Sequence, residues 1–233
     1  MKWSQFFTSS VGKKLVMSLT GIFLITFLVV HVGLNACIWA MDNGEMFNKS
    51  AHFMGTTVVI RIIEVGLFAG IILHIIQGYV LEAKNMSRRG RGYAINPGNK
   101  SSRWYTRTMG LLGTLIFLFL ILHVYTFWVP SRFGGVGNIP PLSEVDYNGK
   151  TYHNLFAKMQ EVFQNPVIVI VYVLGCISLA YHLMHGFHSA FRTLGVHNNR
   201  YLKMLRSVGV GFSVIICLTF AMMPVSFYLG WVH

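Results

Sequence analysis

Three histidines stand close together near the end of one long apolar segment. The segment PVIVIVYVLGCISLAYHLMHGFHSAFR contains His182, His185 and His188. An imidazole is costly in hydrocarbon, so a histidine found there usually has a partner or a function. Neutral imidazole nitrogens are also common ligands of metal ions. The segment therefore predicts that at least one of these three histidines has a functional role inside a membrane.

Three other apolar segments contain His31, His74 and His123. Each of these histidines falls about 15–17 residues into its segment, and consecutive segments enter the membrane from alternate sides. His31 and His123 therefore lie on one side of the midplane. His74 and the histidine of the fourth segment lie on the other side. The sequence predicts two layers of histidines, with two helices supplying each layer.

Two imidazoles that face each other at one depth suit the axial positions of a haem iron. Two layers then predict two stacked b-type haems, separated along the membrane normal by on the order of 10–20 Å. The sequence has no CxxCH motif, so covalent c-type attachment is not indicated. A tetrahedral zinc or copper site would need its ligands at one depth. Proton-relay histidines, as in transporters, are the other alternative.

Glycine spacing favours the haem interpretation. Three glycines precede a histidine by ten residues: Gly21 before His31, Gly113 before His123 and Gly175 before His185. Ten residues rise about 15 Å, so each glycine falls near the opposite layer, where a missing side chain admits a flat macrocycle. Helix packing through small residues is the alternative. The offset favours His185, although His182 matches the depth of His74 slightly better.

The composition indicates an integral membrane protein, because 54% of the 233 residues are hydrophobic and 11% are charged, whereas soluble domains carry about 25% charged residues. Five apolar segments are long enough to cross about 30 Å of hydrocarbon. They run near 14–40, 57–82, 108–129, 166–191 and 207–231. Pro130 and Pro166 mark the end of the third and the start of the fourth. The predicted fold is an all-α integral membrane bundle of five transmembrane helices in a single domain, 1–233, with four helices enclosing two stacked haems b.

The distribution of basic residues predicts the orientation. The formal net charge is +12, and in a membrane protein such an excess reports topology rather than nucleic-acid binding. Lysine and arginine concentrate in the N-terminal segment and in the loops 83–107 and 192–206. By the positive-inside rule, the N-terminus is cytoplasmic and the C-terminus is outside. The basic cytoplasmic face also suits a soluble partner or anionic lipid.

Three motifs resemble the di-haem cytochrome b subunit of succinate:quinone oxidoreductases, the family of succinate dehydrogenases and quinol:fumarate reductases. The motifs are TGIFLITFLVVH in the first span, HVY in the third and HGFHSAFR in the fourth. The similarity covers essentially the whole chain. It is nearest to the bacterial branch that has a single five-span anchor with two haems and uses menaquinone.

The resemblance implies a set of haem ligands. The HG pair makes His185 the fourth-span ligand. His182 is then a neighbouring residue that packs or hydrogen-bonds beside the ligand, or an alternative ligand, and His188 is interfacial. The implied pairs are His74 with His185 at the proximal haem, nearer the cytoplasm, and His31 with His123 at the distal haem.

The resemblance also bears on charged residues near the helix ends. Arg192, seven residues after His185, is placed to pair with a haem propionate, and a snorkelling topology residue is the alternative. Leu183 stands where some family members have a glutamate linked to proton movement, so the resemblance does not extend to that position. Glu64 has two interpretations, a salt bridge with Arg61 one turn earlier or a proton relay.

By resemblance, the chain is a membrane anchor of the bacterial inner membrane that passes electrons between an iron–sulfur subunit and a quinone. A flavoprotein and the iron–sulfur subunit would dock on its cytoplasmic face, and without them we expect no turnover of succinate. Position near the distal haem suggests quinone-site candidates, namely Asn35, Trp39, Glu45 and His52. A di-haem anchor of a hydrogenase or formate dehydrogenase is the first alternative, and a proton-coupled transporter is the second.

Overall fold

The computed structural model describes residues 9–88 and 108–232, so most of the basic loop 83–107 and the terminal His233 lie outside the described residues. The helices and strands are, in chain order, α1 (Ser10–Asn35), α2 (Glu45–Thr56), α3 (Val58–Arg88), α4 (Met109–His123), α5 (Val129–Phe133), β1 (Glu144–Tyr147), β2 (Lys150–His153), α6 (Leu155–Phe163), α7 (Pro166–Thr193) and α8 (Asn199–Tyr228). A 3₁₀ turn, Ala36–Ala40, extends α1, and a π-helical turn, Val124–Trp128, joins α4 to α5.

Five helical stretches in the described ranges are long and apolar enough to cross a membrane. They are Ser10–Ala40, Val58–Lys84, Met109–Phe133, Pro166–Thr193 and Asn199–Tyr228. Each corresponds to a span predicted from the sequence, so the prediction of an all-α membrane bundle with five spans is confirmed. Helices of this length satisfy their own backbone N–H and C=O groups, which hydrocarbon requires.

The third span continues past Pro130, where the sequence predicts its end. The helix widens into the π-helical turn, and α5 then carries the chain to Phe133. Pro130 is near the start of α5, where a missing N–H costs little because the first N–H groups of a helical segment have no partner within it. The Gly134 N–H bonds to the Pro130 carbonyl at 3.0 Å and ends the span.

The last helix begins well before its predicted start near 207. The side chain of Asn198 accepts a hydrogen bond of 2.9 Å from the Arg200 N–H and caps α8 at Asn199. Basic residues follow in the first turns, so hydropathy detects only the apolar part of a longer helix. Pro224 lies inside α8 without ending it.

One end of the bundle is covered by a cap, the name used below for α2, the β1–β2 hairpin and α6. The sequence predicts a loop at 42–52, but most of this segment forms α2. The Met46 N–H bonds to Asp42 Oδ2 at 2.8 Å and supports the first turn of that helix. In the hairpin, Asn148 and Gly149 turn the chain with φ values of 58° and 81°, as a two-residue type I′ turn requires.

A fully buried asparagine, Asn48, ties the cap together. Its amide nitrogen donates to the Tyr147 hydroxyl at 3.0 Å and to Asn154 Oδ1 at 3.1 Å. Its oxygen accepts from the Phe156 N–H at 3.0 Å. One side chain therefore joins α2, the hairpin and α6, and the Phe156 ring packs on Phe227 of α8 at 5.2 Å between centroids.

Two glycines let α7 approach its neighbours closely. A Cβ on Gly175 of α7 would lie 2.7 Å from the Phe119 ring of α4, and a Cβ on Gly209 of α8 would lie 2.8 Å from the Phe187 ring of α7. Neither distance leaves room for a side chain. α7 is thereby packed between α4 and α8, and its rotation there decides which of its histidines faces α3.

Candidate functional site

Two helices bring His31 and His123 together, and we call these the first histidine pair. His31 lies in the last third of α1 and His123 is the last residue of α4. Their ring centroids are 5.8 Å apart and the ring planes cross at 87°. Phe27 stacks on His31 at 5.1 Å, Phe220 of α8 approaches it at 5.4 Å, and Phe119 stacks on His123 at 5.8 Å. The pair is therefore enclosed by aromatic side chains.

The second histidine pair consists of His74 from α3 and His182 from α7. Their ring centroids are 6.2 Å apart and the ring planes cross at 63°. The Thr20 hydroxyl lies 3.1 Å from His74 Nδ1. A Cβ on Gly21 would stand 3.6 Å from His74 Cε1, so this position of α1 is next to the ring. The second pair thus lies at the interface of α1, α3 and α7.

The ring that faces His74 belongs to His182, whereas the glycine offset and the resemblance favour His185. Three residues along a helix advance about 4.5 Å and turn by about 300°, so the two side chains differ in depth and in direction. His185 and His188 are partly buried further along α7, and Arg192 is exposed in its last turn. The structure therefore favours His182 as the partner of His74.

The three glycines of the ten-residue pattern each lie beside the other histidine pair or its enclosing rings. Gly21, which belongs to the helix of His31, is next to His74. A Cβ on Gly113, in the helix of His123, would lie 3.9 Å from His182 Cε1. Gly175 meets the Phe119 ring, which stacks on His123. The pairs occupy two levels along the bundle, and at least one glycine of the pattern lies near each level.

The arrangement of nitrogen atoms fits a cofactor held by two axial histidines. Among the described residues no hydrogen-bond partner fixes the buried Nδ1 atoms of His123 and His182, so either nitrogen of these two rings can face a cofactor. Two imidazole nitrogens that each lie about 2 Å from one ion put their ring centroids about 6 Å apart, close to the observed 5.8 Å and 6.2 Å.

The donor set also distinguishes a haem from a bare metal ion. Within residues 9–88 and 108–232, no group of three or more His, Cys, Asp or Glu side chains is arranged to hold a metal ion. A pair of histidines does not complete the shell of a four-coordinate zinc. A haem brings four nitrogens of its own and needs only axial ligands from the protein. The residues present therefore fit haem better than a bare ion.

Comparisons with known proteins give one informative similarity. No protein-family profile matches the chain, and no solved structure matches it. The "Succinate dehydrogenase cytochrome b558 subunit" of Bacillus subtilis (strain 168) is 24% identical over 178 residues, which cover 76% of this chain and 73% of that protein. This similarity supports the succinate dehydrogenase cytochrome b anchor family. The resemblance seen in the sequence motifs is thereby confirmed at the level of the family.

Glu64 lies in a cluster of donors near the cap. Its carboxylate accepts from Arg61 Nη1 at 2.6 Å and from Arg132 Nε at 3.1 Å. Trp128 Nε1 donates to the same carboxylate. The ion pair with Arg61 agrees with the sequence prediction, and the geometry supports a structural role. Trp128 and Arg132 were missed, although their spacing of four residues is a signal for one helix face.

Two of the quinone-site candidates lie where α1 ends. Asn35 Nδ2 donates to the His31 carbonyl oxygen at 2.8 Å and lies 3.3 Å from His31 Nδ1. Trp39 Nε1 donates to Ser226 Oγ of α8 at 3.0 Å. The structure thus puts Asn35 in contact with the first histidine pair, while Trp39 fastens the end of α1 to α8.

The other two candidates lie on α2 in the cap. Glu45 forms an ion pair with Lys49 one turn later, and this hydrogen bond is the main reason that the pKa of the exposed Lys49 ammonium is raised. His52 packs edge-on against Tyr152 of β2, with 5.0 Å between ring centroids. Each side chain has a contact of its own within the cap.

Proposed function

We propose that this chain is the membrane-anchor cytochrome b subunit of a succinate:quinone oxidoreductase. In this role it passes electrons between an iron–sulfur subunit and a quinone, menaquinone by resemblance, through two haems b. The observation that carries the proposal is the presence of two histidine pairs, each built from two helices, at two levels of one bundle. The similarity to a succinate dehydrogenase cytochrome subunit supports it independently.

In this proposal the two pairs would provide the haem-binding residues. His31 and His123 would hold one haem, and His74 and His182 would hold the other, with His185 as the alternative fourth-span residue. The haems supply one-electron redox chemistry when bound. The chain orients the imidazoles, encloses the first pair with aromatic rings that exclude water, and has a glycine of the pattern near each level.

The orientation and partners follow from charge. With the N-terminus in the cytoplasm of a bacterial inner membrane, the second histidine pair is the proximal one and the cap lies outside. Basic residues that support this orientation are found at the end of the bundle opposite the cap, namely Lys13, Lys14, Arg192, Arg200, Lys203 and Arg206. The flavoprotein and iron–sulfur subunits would dock at that basic end. Arg192 is exposed there, within reach of a propionate or of lipid phosphate.

The quinone is proposed to bind near the first histidine pair, toward the cap. Asn35 is the best supported of the candidates because its amide already contacts His31. Trp39, Glu45 and His52 lie on the elements that follow α1. Glu64 is proposed as a structural ion-pair residue, with a proton relay as its alternative.

A di-haem anchor for a hydrogenase or formate dehydrogenase would use the same histidine pairs, but the similarity to a succinate dehydrogenase subunit favours the succinate family. A proton-coupled transporter would bind no haem. The deciding experiment is purification of the chain with its co-purifying partners and pyridine haemochrome quantitation. We expect about two haems b per chain together with a flavoprotein and an iron–sulfur protein. A ratio near one, or a haem-free intact preparation, contradicts the proposal.

A further inference from the structure

We propose that Thr20 is the positioning residue that sets the tautomer of His74 and directs its Nε2 lone pair toward the bound cofactor. This inference rests on the proposed bis-histidine function. Thr20 lies on α1 and His74 on α3, so the contact joins two spans. The proposal depends on where the single hydroxyl proton of Thr20 goes.

The hydroxyl proton of Thr20 is donated to its own helix. Thr20 Oγ1 lies 2.9 Å from the Val16 carbonyl oxygen and 3.2 Å from the Met17 carbonyl oxygen. A threonine hydroxyl has one proton to donate and lone pairs with which to accept. Two acceptor oxygens 2.9 Å apart repel each other unless a proton lies between them, and a backbone carbonyl has none to give, so we assign the proton to one of these two contacts. Oγ1 therefore meets His74 Nδ1, 3.1 Å away, as an acceptor.

The tautomer of His74 follows from this assignment. An Nδ1 atom that donates to Thr20 carries the ring proton, so the neutral imidazole has its free lone pair on Nε2. Histidines that bind metals commonly donate their other N–H in this way, which fixes the ring orientation and raises the basicity of the ligating nitrogen. His182, the other member of the pair, has no such partner at its buried Nδ1 among the described residues.

Gly21, the residue after Thr20, also lies close to the His74 ring. A Cβ on Gly21 would stand 3.6 Å from His74 Cε1, an ordinary contact distance, so this position of α1 is next to the ring. The Thr20–Gly21 dipeptide thus provides a hydrogen-bond acceptor for His74 Nδ1 and, at the adjacent position, a residue without a side chain beside the ring. A hydroxyl at position 20 acts on His74, and through it on one of the two haems only.

The test compares three substitutions in the holoenzyme with a matched control on the same helix. Thr20→Val removes the hydroxyl at nearly constant shape, Thr20→Ala removes it with less bulk, and Thr20→Ser retains it. Thr26→Val is the control, because Thr26 also bonds to its own helix, at 3.1 Å to the Ile22 carbonyl, but is exposed. Redox titration and low-temperature spectra are recorded, and the band missing in His74→Ala identifies the affected haem.

We expect Thr20→Val and Thr20→Ala to raise the midpoint potential of that haem alone, because a less basic ligand stabilises the oxidised iron less. A loss of about 10–100-fold in retention of that haem alone supports the proposal equally. Thr20→Ser should resemble the wild type, and Thr26→Val should change neither haem. If both hydroxyl-free variants behave like Thr26→Val, or if both haems shift together, the positioning role is overturned. A wild-type chain that holds no haem overturns the proposed function as well, so the two failures are distinguishable.

Discussion

His182 and His185 stand less than one helical turn apart on α7, yet they have different surroundings. The His182 ring lies 6.2 Å from the His74 ring and its Nδ1 is buried without a partner among the described residues. His185 is displaced by about 4.5 Å along the helix and points about 60° away. Two ligands of one metal ion must direct their nitrogen atoms at the same point. A displacement of this size is large compared with the positional tolerance of a metal site.

We therefore expect His182→Ala to lose the haem that His74 also holds and to leave the other spectrum in place. His185→Ala should keep both haems, and His188→Ala, closer to the end of the helix, serves as the control. Absorption spectra and haem-to-protein ratios of the purified variants provide the measurement. Retention of both haems in His182→Ala, with one lost in His185→Ala, would restore the assignment implied by the sequence motifs.

Glu64 offers a second test at the residue scale. Its carboxylate is only 15% exposed and lies between Arg61, which is 46% exposed, and Arg132, which is 19% exposed. Glu64→Gln leaves the more buried guanidinium without its counter-charge, so we expect a loss of stability of about 1–3 kcal/mol. Arg61→Gln should cost much less because its exposed pair is screened by solvent. Thermal loss of the haem spectrum in detergent measures both.

The same variant separates the two interpretations of Glu64. A structural carboxylate predicts that Glu64→Gln lowers the unfolding temperature while quinone turnover per intact molecule is unchanged. A proton relay predicts slow turnover per intact molecule in addition to the lower unfolding temperature.

The sequence could predict which histidines form the pairs only where the depth of a histidine in the membrane singles it out. His31, His74 and His123 are single histidines in their spans, so counting residues from the span ends is sufficient. The fourth span has three, and the choice depends on the rotation of α7. That rotation is set by contacts such as Gly175 with Phe119, which no residue count reveals.

At the scale of elements, α8 contains two nearby glycines, Gly209 and Gly211, of which only the first is in close contact with α7. A Cβ on Gly209 would lie 2.8 Å from Phe187 and 3.3 Å from the Phe187 Cβ itself, whereas a Cβ on Gly211 meets nothing within 4 Å. We expect Gly209→Ala to destabilise the bundle by about 1–3 kcal/mol through overpacking. Gly211→Ala should be neutral or stabilise by up to about 1 kcal/mol through helix propensity.

Thermal unfolding of the two glycine variants, purified in parallel, checks this expectation. Equal unfolding temperatures would show that α7 and α8 can separate slightly at no cost. Such a result would remove the argument that this contact fixes the rotation of α7.

The spans can be predicted from the sequence much more easily than the cap. A span needs about 20 apolar residues, and such a signal survives errors of several residues at each end. The cap elements are short and partly polar, so they lack that signal. The Asn148–Gly149 dipeptide is a recognised hairpin signal and could have indicated the turn between β1 and β2. The predicted end of the third span at Pro130 and the predicted start of α8 are both wrong by several residues. Hydropathy does not detect capping or π-helical turns.

At the scale of the whole molecule, the proposed orientation puts the cap outside the cell and the α7–α8 connection in the cytoplasm. Lys150 at the hairpin and His197 in that connection are both exposed. We expect Lys150→Cys to react with a membrane-impermeant maleimide in intact cells. His197→Cys should react only after permeabilisation.

The wild-type chain supplies the background for this labelling, because Cys176 and Cys217 are buried and Cys37 is partly buried. Labelling of His197→Cys alone in intact cells would invert the topology and move the docking face to the other side of the membrane.

The histidine pairs interleave along the chain, since the first span pairs with the third and the second with the fourth. During synthesis, neither pair exists when the first two spans have been inserted. The first pair is complete once His123 has left the ribosome, and the second must wait for His182, about 60 residues and roughly 3–12 s later at ordinary elongation rates. Biogenesis therefore has a fixed order, in which the histidine pair near the cap is complete before the pair near the opposite end has its second histidine.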